Sequence, residues 1–378
     1  MNQKIHMVDV GTQYQNIKAE IDQAILEVVG SSAFINGPKV KEFQADLEKY
    51  LDVKCVIPCA NGTDALQIAL MALDLKPGDE VIVPAFTYVA TAEVIALLQL
   101  TPVMVDVDPK TFNLTGEIIE KAITPRTKAV VPVHLFGQCS DMESIMDLAE
   151  KHHFYVIEDN AQAIGADYTF SDGRTQKAGT IGHIGTTSFY PSKNLGAYGD
   201  AGAIFTNDEA LGLKLKMIAN HGQKVRYHHA MVGCNSRLDS IQAAVLGVKL
   251  KYLNDYITSR QAAAAKYDEL FKNIDWLEIP YRAKHSTHVF HQYTLKIKDG
   301  QRDALKAHLK EAGIPFGVFY PVPLYEQEAF KKFVPENLKL PVTEELCKSV
   351  ISLPIHTEMN DEIQNYIAEV VLGLVKTV

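Results

Sequence analysis

The 378-residue sequence predicts an α/β fold in which a large domain with a mostly parallel central sheet is followed by a small C-terminal α/β domain. Three observations carry this. Short β-rich apolar runs alternate with longer helical stretches through the first half, the pattern of a parallel sheet covered on both faces. A periodic stretch over 237–274 reads as one long helix, broken once at most, of the length that bridges domains. After it come a strand pattern, a helix, a proline-rich turn region and a terminal helix.

The elements follow in chain order. "KCVIPC" (54–59) reads as the first clear strand, and "GTDALQIALMALDL" (62–75) has helical spacing until "KPGD" stops it. "EVIVPAF" (80–86) is a strand, "TYVATAEVIALLQL" a helix and "TPVMVDVD" (101–108) a strand. "KAVVPVHLFG" (128–137), the helical "DMESIMDLAEKHH" (141–153) and "YVIEDN" (155–160) continue the alternation. "HIGTTSFY" (183–190) and "GAIFTN" (202–207) are the last strands, close enough to pair as a hairpin. Beyond the bridging helix, "HVFHQYTLKI" (288–297) reads as a strand, "RDALKAHLKEAG" (302–313) as a helix and 361–376 as the terminal helix. The expected division is a large domain over 1–245, N-terminal segment included, and a bridging helix with the small domain over 246–378. With no repeat, low-complexity tract or flexible linker between them, the two are expected to share a rigid interface.

A net charge of −9 argues against nucleic acid or an anionic membrane as the main partner. An anionic ligand must then be held locally, by backbone amides or a few aimed cations. The longest apolar stretch, "ATAEVIALLQL" (90–100), carries Glu93 and Gln99 and is too short to span a bilayer. "MNQKIHMVDVGTQYQ" lacks the basic and apolar run of a secretion signal, and the five cysteines show neither framework nor metal-ligand spacing. The expectation is a reduced, cytoplasmic protein, with buried free thiols at Cys55 and Cys59.

Chemistry concentrates in three places. "NGTDAL" (61–66) sets a small-residue turn between a strand and a helix, where free amides and the Thr63 hydroxyl face any anion at the helix end. "YVIEDNAQAIGA" (155–166) ends an apolar strand with Glu158 and Asp159, with Gln162 just beyond. Carboxyl ends of strands are where α/β folds place ligands, although either carboxylate alone could equally cap a helix. "TSFYPSKNLGAYGDAG" (187–202) holds a single lysine, Lys193, among small, aromatic and amide residues. Alone it reads as a surface lysine in a glycine loop; in a partly dry site its amine pKa falls and it becomes nucleophilic toward aldehydes. Asp159, Lys193 and the Asn-Gly-Thr turn together meet the three needs of pyridoxal 5′-phosphate: an acid for the ring nitrogen, an amine for the aldehyde and an anion pocket for the phosphate. A dinucleotide site is excluded, since "NGTDAL" has one glycine and "GAYGDAG" leads into a strand rather than a helix. Arg226, His228, His229 and Arg237 in "HGQKVRYHHAMVGCNSR" (221–237) suit an anionic substrate better than a metal, because adjacent histidines diverge and no carboxylate joins them.

In their order along the chain, "FINGPKVKEFQADLEKYL" (34–51), "CANGTDALQIAL", "PAFTYVATA", "KAITPRTKAVVPVHLFGQ" (121–138), "EDNAQAIGA", "SFYPSKNLGAYGDAG" and "GCNSRLDSIQAA" resemble the sugar-nucleotide aminotransferases of the DegT/DnrJ/EryC1/StrS family. The resemblance covers nearly the whole chain and implies the aspartate-aminotransferase fold, type I of the pyridoxal-phosphate enzymes. Carried over, it makes Lys193 the Schiff-base lysine and proton shuttle, Asp159 the partner of the pyridinium nitrogen and Gln162 a donor to the ring hydroxyl. It places Gly62, Thr63 and Ser188 on the phosphate, Tyr88 on the ring face, and Asn235 in the second subunit's site. It implies a homodimer with two shared active sites and the 221–237 segment reaching across. A branch of the family that dehydrates sugars has histidine for the lysine, so Lys193 favours amino transfer. Within the family, the chain is most similar to enzymes that aminate C3 of UDP-2-acetamido-2-deoxy-3-oxo-glucuronate for bacterial surface polysaccharide, lipopolysaccharide included. Arg237 would then fork the sugar carboxylate, His229 and Tyr320 would contact substrate, and L-glutamate would donate the amine. The alternatives are a dTDP-3-oxo-6-deoxyhexose or 4-oxo nucleotide sugar as substrate, or a regulatory protein without turnover. The chain departs from the family at Phe319, where histidine is usual, and at Asn160 and Ala201, where alanine and glycine are commoner.

Overall fold

The computed structural model describes residues 4–374. Helices α1 (Val10–Asn16), α2 (Lys18–Ser31) and α3 (Pro38–Leu51) come first. None of them is expected from the alternation above, which starts at residue 54. The pattern of α2 is faint because it buries only Ile21, Ala24 and Val28. Then β1 (Cys55–Cys59), α4 (Gly62–Ala72), β2 (Glu80–Pro84), α5 (Ala90–Leu97), β3 (Thr101–Val105), α6 (Gly116–Glu120), β4 (Thr127–Val130), α7 (Met142–His152) and β5 (Tyr155–Asp159) alternate as expected. A small hairpin, β6 (Asp167–Thr169) with β7 (Thr175–Lys177), precedes β8 (Ile184–Ser188), β9 (Gly202–Thr206) and α8 (Glu209–Ala219). A second hairpin, β10 (Gln223–Val225) with β11 (His228–His229), leads into α9 (Ser240–Leu250) and α10 (Leu253–Phe271), the bridging helix broken once.

Seven strands form one sheet in the order β1-β9-β8-β5-β4-β2-β3. All run parallel except β9, which is antiparallel to both β8 and β1. Successive side chains leave a strand on opposite faces, so Val130 and Val156 join the core under α3 and α7, while Ala129 and Ile157 join the core under α4 and α5. Near-continuous apolar strands are the consequence of this two-sided cover.

The C-terminal part holds β12 (Leu277–Glu278), β13 (Tyr293–Ile297), α11 (Arg302–Glu311), α12 (Pro341–Ser349), β14 (Val350–Leu353) and α13 (Asp361–Gly373). Strands β12, β13 and β14 make an antiparallel sheet with its own apolar core against α10, α11 and α13. Two expectations need correction here. The strand expected over 288–297 begins only at Tyr293, because the preceding backbone bonds elsewhere: Val289 N–H donates to Gly137 O at 2.8 Å. The proline-rich region contains a helix and a strand, since Pro341 occupies the first turn of α12, where its missing N–H costs nothing. The terminal helix ends at Gly373, and the last positions expected of it lie outside the described residues. Among the described residues no helix is long and apolar enough to cross a membrane.

Candidate active site

The carboxyl ends of β1, β5 and β8 open onto one cavity of about 660 Å³. Such a position, beside the strand where the chain order reverses, is set by topology before any side chain is considered. At the end of β1, Asn61 caps α4 by accepting from Asp64 N–H at 2.8 Å. The amides of Gly62 and Thr63, in the first turn, are left without a protein acceptor among the described residues. Gly62 packs so closely on Ser188 that a Cβ would lie 2.7 Å from Ser188 Cβ, and a Cβ on Gly202 would lie 2.5 Å from Asn61 C. These two glycines let β9 and β8 close beneath the turn, so two free amides, the Thr63 side chain and Ser188 border one anion-sized recess.

Asp159 and Glu158 separate at this point. Alternation along β5 sends Asp159 into the cavity, where its oxygens accept from Thr91 Oγ1 at 2.9 Å and Ala161 N–H at 3.1 Å. Glu158 leaves on the other face, wholly buried, and accepts from the amides of Gly179, Ile181 and Gly182. The Nδ1 of His134 accepts from Ser140 N–H, so its ring proton sits on Nε2 and is donated to Glu158 at 2.7 Å. The suggestion that both carboxylates face a ligand is therefore corrected: Glu158 organises the 178–182 loop, and only Asp159 lines the cavity.

Lys193 lies on the cavity wall, part-buried. Burial pulls its amine down to about 8, with Asp159 pulling the other way. The backbone just beyond is clamped by Lys249, whose Nζ donates to Gly196 O at 2.9 Å. The Oε1 of Gln162 accepts from Phe136 N–H at 2.8 Å, which directs its Nε2 toward the cavity and Tyr320 OH at 3.2 Å. Tyr88, 57% exposed, borders the mouth, and its ring lies 6.4 Å from that of Tyr320. Phe319 also lines the wall.

Gly62, Thr63, Tyr88, Asp159, Gln162, Ser188, Lys193 and Tyr320 thus share one cavity; Asn235, Arg237 and His229 do not line it. Asn235 pairs with Asn220, His229 donates from Nδ1 to His221 O, and Arg237 borders a separate basic depression with Lys224 and Arg226. Sequence reasoning named Asn61 only as part of the Asn-Gly-Thr turn and missed Thr91 and His291. His291 lines the cavity and Thr91 stands behind Asp159, both brought there by tertiary packing.

Residues 15–372 match the DegT/DnrJ/EryC1/StrS aminotransferase family. The chain belongs to that family. It is 46% identical over 93% of its length, and 95% of the relative's, to the UDP-2-acetamido-2-deoxy-3-oxo-D-glucuronate aminotransferase of Pseudomonas aeruginosa. It is 45% identical to a pleiotropic regulatory protein of Geobacillus stearothermophilus, covering 97% of each chain. It is also 43% identical to the UDP-N-acetyl-3-dehydro-alpha-D-glucosamine 3-aminotransferase of Acidithiobacillus ferrooxidans, covering 96% and 95%. Among solved structures, S. venezuelae DesV with a ketimine intermediate superposes at a TM-score of 0.94 and 36% identity, covering both chains fully. Bacillus subtilis NtdA with bound PMP matches at 0.88 and 33%, covering 96% of this chain and 82% of that one.

The aminotransferase is accordingly an α/β enzyme of fold type I that depends on pyridoxal phosphate. Its residues fit that group. A recess with two unpartnered amides suits a phosphate, a buried carboxylate suits a protonated ring nitrogen, and an amine with a lowered pKa suits an aldehyde.

Proposed function

We propose that this aminotransferase moves an amino group from L-glutamate to C3 of UDP-2-acetamido-2-deoxy-3-oxo-D-glucuronate, for bacterial surface polysaccharide. We infer a cytoplasmic homodimer with two shared sites and a division of each chain near residue 245. The observation that carries the substrate is the depression bordered by Lys224, Arg226 and Arg237, three cations with no ion-paired carboxylate among the described residues. A uronate linked to a diphosphate is the kind of anion such a surface takes, and two of the relatives named above act on UDP sugars. Val225, Tyr227 and Val232, apolar yet exposed beside it, support a partner subunit that brings Asn235, Arg237 and His229 to the other chain's cavity.

Bound pyridoxal phosphate supplies the aldehyde and an electron-withdrawing ring that stabilises negative charge at the reacting carbon. The chain's own residues do the rest. The amides of Gly62 and Thr63 and the hydroxyls of Thr63 and Ser188 hold the phosphate at the positive end of α4. Asp159, oriented by Thr91 and Ala161, keeps the ring nitrogen protonated. Gln162, with its oxygen engaged by Phe136, offers N–H to the ring hydroxyl. Lys193 Nζ, its pKa pulled down to about 8 by burial, would take the proton from the carbon that bears the transferred nitrogen and hand it on across that nitrogen. Tyr88 and Tyr320 cover the ring and exclude water.

The test is Arg237→Ala assayed against a 3-oxo uronate and a neutral 6-deoxy 3-oxo sugar nucleotide. Losing a charge-assisted pair should cost about 1.5–3 kcal/mol in kcat/KM for the uronate alone. Equal losses on both substrates would remove the uronate assignment. A regulatory role without turnover has one observation behind it, the likeness to the Geobacillus protein. It predicts that L-glutamate leaves the visible absorbance of the purified protein unchanged.

A further inference from the structure

Lys249, near the end of α9, is 1% exposed and has no ion-pair partner among the described residues. Burial pulls its amine down to about 8. A buried cation without a counter-ion lowers stability, and an apolar chain of similar length would fill this space at less cost. What a lysine adds here is the group at its tip. That group donates to Gly196 O at 2.9 Å and lies 4.6 Å from the centre of the Tyr198 ring.

Gly196 and Tyr198 belong to the segment that presents Lys193. Its backbone closes on itself, with Lys193 N–H donating to Tyr190 O at 2.8 Å and Ala197 N–H to Phe189 O at 2.7 Å. On one side Asn194 Nδ2 ties the turn to Val289 O at 2.8 Å. On the other, α9 grips it twice. Gln242 Oε1 accepts from Tyr198 N–H at 2.8 Å, and Lys249, two helical turns further along the same face, holds the Gly196 carbonyl. Neither Gln242 nor Lys249 lines the cavity, so both act on it only through this turn. The anion recess is built without α9, from Gly62, Thr63, Ser188 and the close packing of Gly202.

We propose that Lys249 is a positioning residue for the reaction: with Gln242 as a second grip, it anchors the Lys193 turn to α9 and so fixes where the Lys193 amine stands in the cavity. This rests on the proposed role of Lys193 as the cofactor-binding lysine. The held carbonyl is three residues from Lys193, close enough that its release shifts the base of the lysine side chain. Loss of the grip therefore slows the chemistry of Lys193 and leaves the anion recess intact. The burial of an unpaired cation beside an active turn has its reason in this separation of tasks.

The test is the first-order rate at which cofactor-stripped protein, saturated with pyridoxal phosphate, develops the visible absorbance of lysine-bound cofactor as amine joins aldehyde and water leaves. Lys249→Met fills the space without donor or charge and should slow this step about tenfold. Lys249→Arg restores both and should return it to within about threefold of wild type. Noncovalent cofactor affinity, read by fluorescence in the Lys193→Ala background, should be unchanged by either, which a general loosening of the fold would not allow. The proposal is overturned if Lys249→Met reacts as fast as wild type, or if its noncovalent affinity falls as far as its rate. It is also overturned if a Lys249→Arg protein with the wild-type urea midpoint is as slow as Lys249→Met. Should Lys249→Met fail to fold, Gln242→Leu, which releases Tyr198 N–H, takes its place: a slower covalent step at unchanged affinity upholds the grip, and a wild-type rate overturns it. If Lys193→Ala itself still develops the absorbance, the assignment of Lys193 fails, whatever the α9 variants do.

Discussion

Replacing Gly62 with alanine should weaken cofactor binding and leave the cofactor-free protein folded. The backbone there is not left-handed, so contact rather than torsion is the obstacle. An added Cβ meets Ser188 Cβ at 2.7 Å, its Cα at 3.3 Å and its hydroxyl at 3.4 Å. Either Ser188 withdraws or the first turn of α4 tilts, and each movement takes a phosphate donor out of place. Overpacking of this kind costs about 1–3 kcal/mol, partly offset by the roughly 0.5–1 kcal/mol gained when alanine replaces glycine in a helix. The melting temperature of the cofactor-free protein should therefore shift by only a few degrees. The phosphate, by contrast, loses one or two charge-assisted hydrogen bonds of about 1.5–3 kcal/mol each, a drop of roughly tenfold or more in affinity. Fluorescence titration of stripped protein with pyridoxal phosphate measures this, with Ser188→Ala as a companion that removes a hydroxyl without a clash. An affinity for Gly62→Ala within about threefold of wild type would refute placement of the phosphate at α4.

Three further outcomes are expected. In the cofactor-free protein, reaction of Lys193 with an aldehyde probe should rise with pH around a midpoint near 8, since only the deprotonated amine attacks. Asp159→Asn removes the charge opposing that shift and should lower the midpoint further; a wild-type midpoint at the ordinary 10.5 would contradict the burial argument. Thr91→Val deletes the 2.9 Å bond to Asp159 without changing volume and should cost about 0.5–1.5 kcal/mol of cofactor affinity, read by the same titration. Glu158→Gln leaves three amides and His134 facing an amide in place of a carboxylate, and should lower stability by about 2–4 kcal/mol in urea unfolding; an unchanged midpoint would show that the 178–182 loop does not depend on it.

The alternation of strands and helices was legible because both faces of the sheet are covered, so apolar runs such as "EVIVP" mark strands directly. Asp159 and the Asn-Gly-Thr turn were legible because they sit at strand ends, where chemistry and topology coincide, and Lys193 because it is the single lysine in a loop of small and aromatic residues past β8. Glu158 was misplaced for a reason that period-two alternation itself supplies: neighbours on a strand cannot face the same cavity. The antiparallel pairing of β9 with β8 was legible as a hairpin because the two runs lie close in the chain, whereas its pairing with the distant β1 left no mark, since β9 is as apolar as any buried strand. His291 was hidden inside "HVFHQYTLKI", where its neighbours mimic a strand, while in the fold it lines the cavity and Asn194, far away in sequence, holds the nearby Val289 carbonyl. Asn235, Arg237 and His229 lie outside the cavity, Arg237 beside Lys224 and Arg226 in the separate basic depression.

The place of β9 also sets the order in which the site comes into being. Among the described residues β1 is the earliest strand in the chain, yet it pairs in the sheet only with β9, Cys55 lying opposite Thr206. Gly202 packs directly against the Asn61–Gly62 peptide, so the anion recess has no floor until β9 has been made and inserted. A nascent chain that ends before residue 206 carries the phosphate turn but cannot hold a phosphate. Closing so long a loop is slow, and it comes late in folding. The phosphate recess is therefore complete only in a finished sheet, and a ligand that binds there stabilises the completed large domain by mass action.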